Sequence, residues 1–536
     1  MTNVGKNIVN KRRFVTFSLK LSFCFILTIS CLIFLSGVVD SKEIDGDYSK
    51  NEIVFGVYIY DYSIKKYAQE SSKLFLDALS EHLEILKKNN VNAVYMSISD
   101  PREFEMILDV FEDKNIKIIP QLNFAYFKNE WSKIDVNIKA KIASEYIKKY
   151  KNKKIIIGWS LKEEVKKEEV SNLSEYYKKI INFEPEAKFV LVHNNLGAAT
   201  DFPEPYPYIE GVNRYGFWWE FSGGGYLASP SFALKWTRDN FSIFYDEVSE
   251  RSKNFMTVFT QGGLTMPNAA NKKLKYEDLL VSIDDKILTN KIKKFADEGR
   301  MGWKKFNTSK GAKYNFWKYY RLPENCMKVL MWSSVMEGAK YIFCWSYRPL
   351  SPIEESISFE TAASLDKNEI SIWTLAGRQG HSNPELKEFS ETILDIKKYE
   401  KIILYSSKLP NSKLICNNDN FYNREFKHMN VKGSIFIVHN SNVGTLNDNI
   451  NFFDENANVF IDDEGKLVDY KPYKDKMICN LKIVSDNKYK LFNLESLKEL
   501  NLVNSTTQVE IAPGSGVLLF YGPEDSFKYL KSVLLN

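Results

Sequence analysis

The chain has 536 residues, 44% of them hydrophobic and 14% aromatic, with 73 basic and 68 acidic side chains, so the net charge is the small difference 73 − 68 = +5. That apolar mass suffices for two or three cores and excludes a disordered chain beyond the N-terminus. The lysines are spread along helical faces rather than gathered beside stacking aromatics, which argues against a nucleic-acid partner.

At the N-terminus Lys11, Arg12 and Arg13 precede an uncharged apolar run from Leu21 to Val39, and the polar stretch DSKEIDGDYSKNE follows. This is the form of an export signal, so the mature protein is expected outside the cytoplasm, extracellular or at the cell surface. The run approaches the roughly 20 residues that cross a bilayer, and no A-x-A site ends it. An uncleaved membrane anchor through residues 14–39 and a removed signal peptide therefore stand side by side. A lipoprotein reading at Ser30-Cys31 is weaker, because Leu32, Ile33, Phe34 and Leu35 prolong the apolar segment. Residues 1–50 are expected to form this leader and its linker.

Beyond the linker, short β-branched runs alternate with longer amphipathic segments, the pattern of a parallel sheet with helical crossovers. Eight runs qualify: Ile53 to Tyr60, Val91 to Ser99, Ile116 to Asn123, Lys154 to Ser160, Lys188 to Asn195, Gly211 to Phe217, Phe255 to Gly262 and Lys340 to Tyr347. Intervening helices include one in which Leu74, Phe75, Ala78, Leu79, Leu83 and Leu86 form a single apolar face. Eight strands of this kind predict an α/β fold, a (β/α)8 TIM barrel over 51–400. The rival, a doubly wound open sheet, would carry a glycine-rich loop after its first strand, and the segment after Tyr60 has none.

From about Lys401 short strands separated by Asn, Asp, Gly and Lys turns predict an antiparallel β-sandwich over 401–536. They are KIILYSS, KLICNN, GSIFIVHN, ANVFIDDEGKLVDY, KYKLFNL and TQVEIAPGSGVLLFYG, with DDEG as a hairpin turn, and the boundary follows the helix ELKEFSETILDIKKYEK. Of six cysteines, Cys24 and Cys31 fall in the leader; Cys416 and Cys479 are either a disulfide pair or buried free thiols. No CxxC and no HExxH occurs, so no metal centre is expected, and no cofactor is called for.

Chemistry concentrates in IIIGWSLKEEV, Ile155 to Val165, where an apolar strand opens onto Glu163 and Glu164. A strand that delivers a carboxylate to its carboxyl end is how a barrel presents an acid to substrate. Ser160-x-x-Glu163 also reads as a helix capping box, which would give Glu163 a structural or supporting role beside Glu164. Aromatic side chains lie at or beyond strand ends, namely Trp159, Tyr215, Trp218, Trp219, Trp345 and Tyr347, where sugar C–H faces could stack. His193, Asn194 and Asn195 end the fifth strand and could either bond hydroxyls or cap the next segment.

The barrel order, GWSLKEEV after strand four, RLPENCMKVLMWSSVMEGAKYIFCWSYRP around strand eight and VEIAPGSGVLLFYG near the end together resemble glycoside hydrolases of the clan A group that includes family 42 β-galactosidases. The resemblance covers roughly Ile53 to Gly522. It implies hydrolysis of O-glycosidic bonds in an oligosaccharide or polysaccharide, with Glu164 as general acid/base. Relatives that retain configuration place a glutamate nucleophile at the end of strand seven, about 5 to 5.5 Å from the acid/base. Here that place holds Gln261, an amide that cannot attack an anomeric carbon, so Glu220 after strand six is the preferred second carboxylate and Asp100 after strand two the next. The rival reading is a non-catalytic cell-surface carbohydrate-binding protein in which Gln261 records a lost nucleophile. A third, a structural surface protein, would bury the aromatics and pair Glu164 with a lysine. Oligomeric state is not legible.

Overall fold

Eight strands run parallel and close into a barrel: β1 (Val54–Tyr60), β2 (Ala93–Ile98), β3 (Lys117–Leu122), β4 (Trp159–Val165), β5 (Phe189–His193), β6 (Ile209–Asn213), β7 (Asn254–Thr260) and β8 (Tyr341–Trp345). Each pairs with its chain neighbours, and β8 returns to β1 with Val54 opposite Tyr341. This computed structural model describes residues 52–122, 135–214, 230–260, 268–269, 302–307, 313–318, 322–345, 347, 384–445, 470–485 and 489–535. The expected leader and the DDEG hairpin lie outside them, and no helix among the described residues is long and apolar enough to cross a membrane.

Alternate strand residues feed two cores, as apolar runs buried on both faces require. Phe55, Val57 and Ile59 pack outward against helices, while Val54, Tyr58, Tyr95, Ile119, Val192 and Phe343 fill the interior. Tyr58 and Tyr95 stack across it at 4.2 Å between ring centroids. Gly56 makes room for this filling, since a Cβ there would lie 2.1 Å from the Phe343 ring. Of the outer helices, α1 spans Asp61–Glu70, α2 Phe75–Lys88, α3 Phe104–Lys114, α4 Val136–Tyr150, α5 Val170–Phe183, α6 Leu196–Thr200, α7 Pro230–Val248 and α8 Cys326–Met336. The apolar face of α2 forms as predicted through Ala78, Leu79, Leu83 and Leu86, but Leu74 stays outside it, 74% exposed at the N-cap.

Some boundaries differ from the sequence reading. Strand four lies further along the chain than Lys154 to Ser160, with Ile156 making only a lone bridge to Ile118. Strand six begins at Ile209 and ends at Asn213, short of Tyr215. Between β7 and β8 the chain adds an unanticipated antiparallel sheet of Asn268–Ala269, Gly302–Asn307 and Lys313–Lys318.

The C-terminal part is a β-sandwich of two principal antiparallel sheets. One orders Ser406–Lys408, Phe421–His428, Ser434–Asn440, Gly516–Gly522, Lys490–Asn493 and Lys498–Leu500; the other orders Leu414–Cys416, Met477–Ile483 and Thr506–Ile511. Leu414, Phe436, Leu481, Val509 and Leu519 fill the space between them. The run KIIL, expected as strand, is the short helix Glu400–Leu404, because a brief apolar run reads alike as buried helix or strand. Cys416 and Cys479 face this core as free thiols, and Asn423 Nδ2 donates to Cys416 Sγ at 3.5 Å.

The sandwich seats on α8. Gly516 lets its strand approach Trp332, where a Cβ would come within 2.7 Å of the ring. Glu337, at the end of α8 and 1% exposed, receives Arg424 Nε at 2.9 Å and Lys408 Nζ at 2.6 Å from two sandwich strands. At the other end of α8, Glu388 of α9 (Pro384–Lys397) accepts the Lys328 N–H at 3.5 Å. Burial, reinforced by the Glu385 and Glu324 charges and opposed by Lys328, pushes the Glu388 carboxyl up to about 8.

The folded state therefore holds this proton more tightly than the unfolded chain, whose value is 4.5. The stability it lends is complete below that value and drains away as pH rises towards about 8. Glu388→Gln should remove a loss of roughly 3 kcal/mol over this window, counting about 1.4 kcal/mol per pH unit and discounting for residual solvation. Urea midpoints of both proteins at about pH 5 and about pH 8.5 check this; parallel pH dependences would contradict it.

Candidate functional site

The site grows out of an irregularity in β4. Against β5, Ser160 lies opposite Val190, Lys162 opposite Leu191 and Val165 opposite His193, so β4 uses seven residues where β5 uses five. The surplus falls at Leu161 and at the Glu163-Glu164 pair, and Glu164 takes a left-handed backbone with φ 55°. Bulges of this kind bend a strand and re-aim its side chains. Lys162 turns away to pair with Glu169, while Glu163 and Glu164 remain partly buried, and their charges act on the Tyr60 hydroxyl at the end of β1.

Asn213, the last residue of β6, faces the barrel interior, and its Nδ2 donates to Glu164 Oε1 at 2.8 Å. A proton carried by that carboxyl therefore belongs on Oε2, the oxygen that does not accept this bond. On the opposite arc Trp345 Nε1, at the end of β8, donates to the Tyr60 hydroxyl at 3.0 Å. Burial and then the Glu163 charge push the Tyr60 hydroxyl well above the usual range, so it stays protonated. Ser97, Gln121 and Ser160 complete a polar arc in register, Tyr60 opposite Ser97, Ser97 opposite Gln121 and Gln121 opposite Ser160. Beneath them the Tyr95 hydroxyl bonds Ser160 Oγ and closes the floor.

Of the residues singled out from sequence, Glu163, Glu164 and Trp345 meet at this mouth. Trp159 does not: it is 4% exposed and stacks on Phe104 of α3 at 6.1 Å, in the layer between barrel and helices. His193 also points outward, because it follows the inward Val192; its Nε2 lies 2.9 Å from Glu210 Oε1, a fully buried pair that the partly exposed Arg251 joins from outside. Despite burial, His193 and Arg251 hold the Glu210 carboxyl below its ordinary value. Tyr347 is buried, bonded through its hydroxyl to His82 Nδ1 at 2.7 Å.

Asn194 is fixed through its backbone, with its N–H on Val165 O at 3.0 Å, and Asn195 caps α6 by accepting from Ala198 N–H at 2.8 Å. Asp100 caps its own turn and binds Arg102, whose hydrogen bonds hold its carboxyl down at about 2. The proposed Ser160-to-Glu163 capping box does not form, since both residues are strand; the turn that follows is closed by Glu169, whose Oε2 accepts the Lys166 N–H at 3.0 Å. Tyr215, Trp218, Glu220 and Gln261 lie outside the described residues. Tyr60 and Asn213 were missed. Tyr60 carried the same signal as the other strand-end aromatics, whereas nothing in the sequence ties Asn213 to Glu164.

Among the described residues no group of three or more His, Cys, Asp and Glu side chains could hold a metal ion. No known family profile matches the chain, and no curated protein does. Similar solved structures include a GH2 β-galacturonidase from Eisenbergiella tayi bound to galacturonate, 11% identical, with 64% of this chain and 51% of that one covered and a TM-score of 0.39. The chain thus spans about half the length of that enzyme. A family 5 glycoside hydrolase from Bacteroides vulgatus is 8% identical over 88% and 89% of the two chains, with a TM-score of 0.45. An Anoxybacillus α-amylase is 8% identical over 89% and 99%, with a TM-score of 0.41. Likeness at this level names glycoside hydrolases as structural neighbours and identifies neither a family nor an activity for this chain.

Proposed function

We propose that this is an exported carbohydrate-active protein whose barrel mouth hydrolyses O-glycosidic bonds, with Glu164 as general acid/base. The observation that carries the reading is the doubled bulge of β4, which spends backbone strain to place a carboxylate beside Asn213 at the carboxyl end of a closed parallel barrel. Glu164 Oε2 would deliver its proton to the leaving oxygen, and the Asn213 amide would hold the carboxyl in place throughout. Glu163 and Trp345 would contact the sugar. Glu220 is the proposed second carboxylate, as nucleophile or as the base that activates water. Export is supported by the charged, then apolar, then polar order of the first fifty residues.

The test is to incubate the purified protein, and separately Glu164→Gln, with a panel of 4-nitrophenyl glycosides and polysaccharides, reading released sugars by mass. Release by the parent and none by the variant is expected. Equal release removes Glu164 from the reaction, and glycan retained without release by either marks the binding protein instead.

A further inference from the structure

Towards the carboxyl ends of β2, β3 and β4, Ser97, Gln121 and Ser160 lie side by side, Ser97 opposite Gln121 and Gln121 opposite Ser160. Gln121 looks into the barrel because strand parity repeats every two residues: Ile119 belongs to the interior, whereas Ile118 and Leu122 pack outward against the helices. Only 8% of Gln121 is exposed. Around it the polar side chains of the mouth are committed to protein partners, since Ser160 Oγ is bonded to the Tyr95 hydroxyl, Glu164 accepts from Asn213 and Tyr60 accepts from Trp345. The Gln121 amide differs from them. It has no hydrogen-bond partner among the described residues, and neither its oxygen nor its nitrogen is sealed from solvent. A side chain this deeply packed that keeps a donor and an acceptor open to the mouth is placed to meet a ligand, because buried polar groups are otherwise satisfied within the protein.

Resting on the reading of this mouth as a sugar site, we propose that Gln121 is a specificity-determining residue that reads two neighbouring hydroxyls of the bound saccharide, its oxygen accepting from one and its NH2 donating to the other. A primary amide carries donor and acceptor on adjacent atoms in one plane, the arrangement that also lets glutamine read two positions at once on a base edge. Hydroxyls on neighbouring ring carbons offer the matching pair. Ser97, Gln121 and Ser160 are all uncharged, which suits a neutral saccharide face rather than a sugar acid at this arc. A sugar that lacks either hydroxyl leaves half of the amide without its partner.

The experiment compares the parent protein with Gln121→Met, which keeps the length of the side chain and removes the amide, on the 4-nitrophenyl glycoside that the parent cleaves and on its monodeoxy analogues. For a sugar bound without cleavage the same comparison is read as Kd by calorimetry. Gln121→Met should lose about 10- to 100-fold in kcat/KM on the complete sugar, as expected when hydrogen bonds to substrate hydroxyls are removed from a largely desolvated site. Two analogues, deoxygenated at adjacent ring positions, should show a smaller loss, and the others the full factor. The melting temperature should stay with the parent, because no protein hydrogen bond is lost; Gln121→Leu, measured in the same way, must single out the same two positions and covers a folding defect in the first variant. Equal losses on every analogue would reduce Gln121 to a structural residue, and no loss on any would overturn the proposal. A parent protein that neither binds nor cleaves any glycoside defeats the sugar reading beneath it, a result distinct from unselective loss.

Discussion

Glu164→Gln should lower kcat/KM on 4-nitrophenyl glycosides by about a thousandfold, within the range that a positioned general acid supplies. The substitution is isosteric, and an amide oxygen can still accept from Asn213 Nδ2, the bond that holds the carboxylate at 2.8 Å. The left-handed backbone is already present, so no new strain enters and the thermal midpoint should barely move. The loss should also depend on the leaving group. A 2,4-dinitrophenolate departs without protonation, so its glycoside should lose far less than one of a poor leaving group. Initial rates on such a pair, with melting curves beside them, check the assignment. A loss independent of the leaving group would show that Glu164 does something other than donate a proton.

Glu337→Ala should destabilise the protein by about 3–5 kcal/mol, the range for removing one partner of a buried ion pair. Glu337 is 1% exposed and Lys408 is 5% exposed, so the ammonium would lose its nearest counter-charge inside the fold. Arg424, at 30% exposure, can turn to water, and Lys408 retains Asp246 at 3.5 Å, which places the expected value near the lower end. Because Glu337 belongs to a barrel helix and both cations to sandwich strands, the loss should fall on the junction. Urea unfolding is the measurement. A change below about 1 kcal/mol would mean that water already screens the triad as it does at a surface.

The barrel was legible because alternating burial on two faces writes a β-branched run at every strand. The shift of β4 was not. WSLKEEV has no two-residue alternation, since a bulge sets two residues against one, and the more apolar Ile155 to Ile157 attracts the assignment instead. The same ignorance of parity misplaced Trp159 and His193: a sequence shows that a residue ends a strand, but whether it looks into the barrel depends on register with its neighbours. Glu164 was found because two carboxylates after an apolar run are unusual; its partner Asn213 lies 49 positions away and became visible only when β6 was placed. The sandwich was anticipated as a class, yet Phe421–His428 and Met477–Ile483 were overlooked because charged residues interrupt their apolar pattern.

The backbone at Glu164 has a thermodynamic corollary. An L-residue in that conformation carries a handicap of about 1–2 kcal/mol that glycine escapes. Of two variants that both lack the carboxylate, Glu164→Gly should therefore melt higher than Glu164→Ala, reversing the order found at most strand positions; the usual order would show the conformation to be unstrained. Thermostability and chemistry would then pull this one position in opposite directions, and any screen that selects for heat resistance alone should drift towards glycine here.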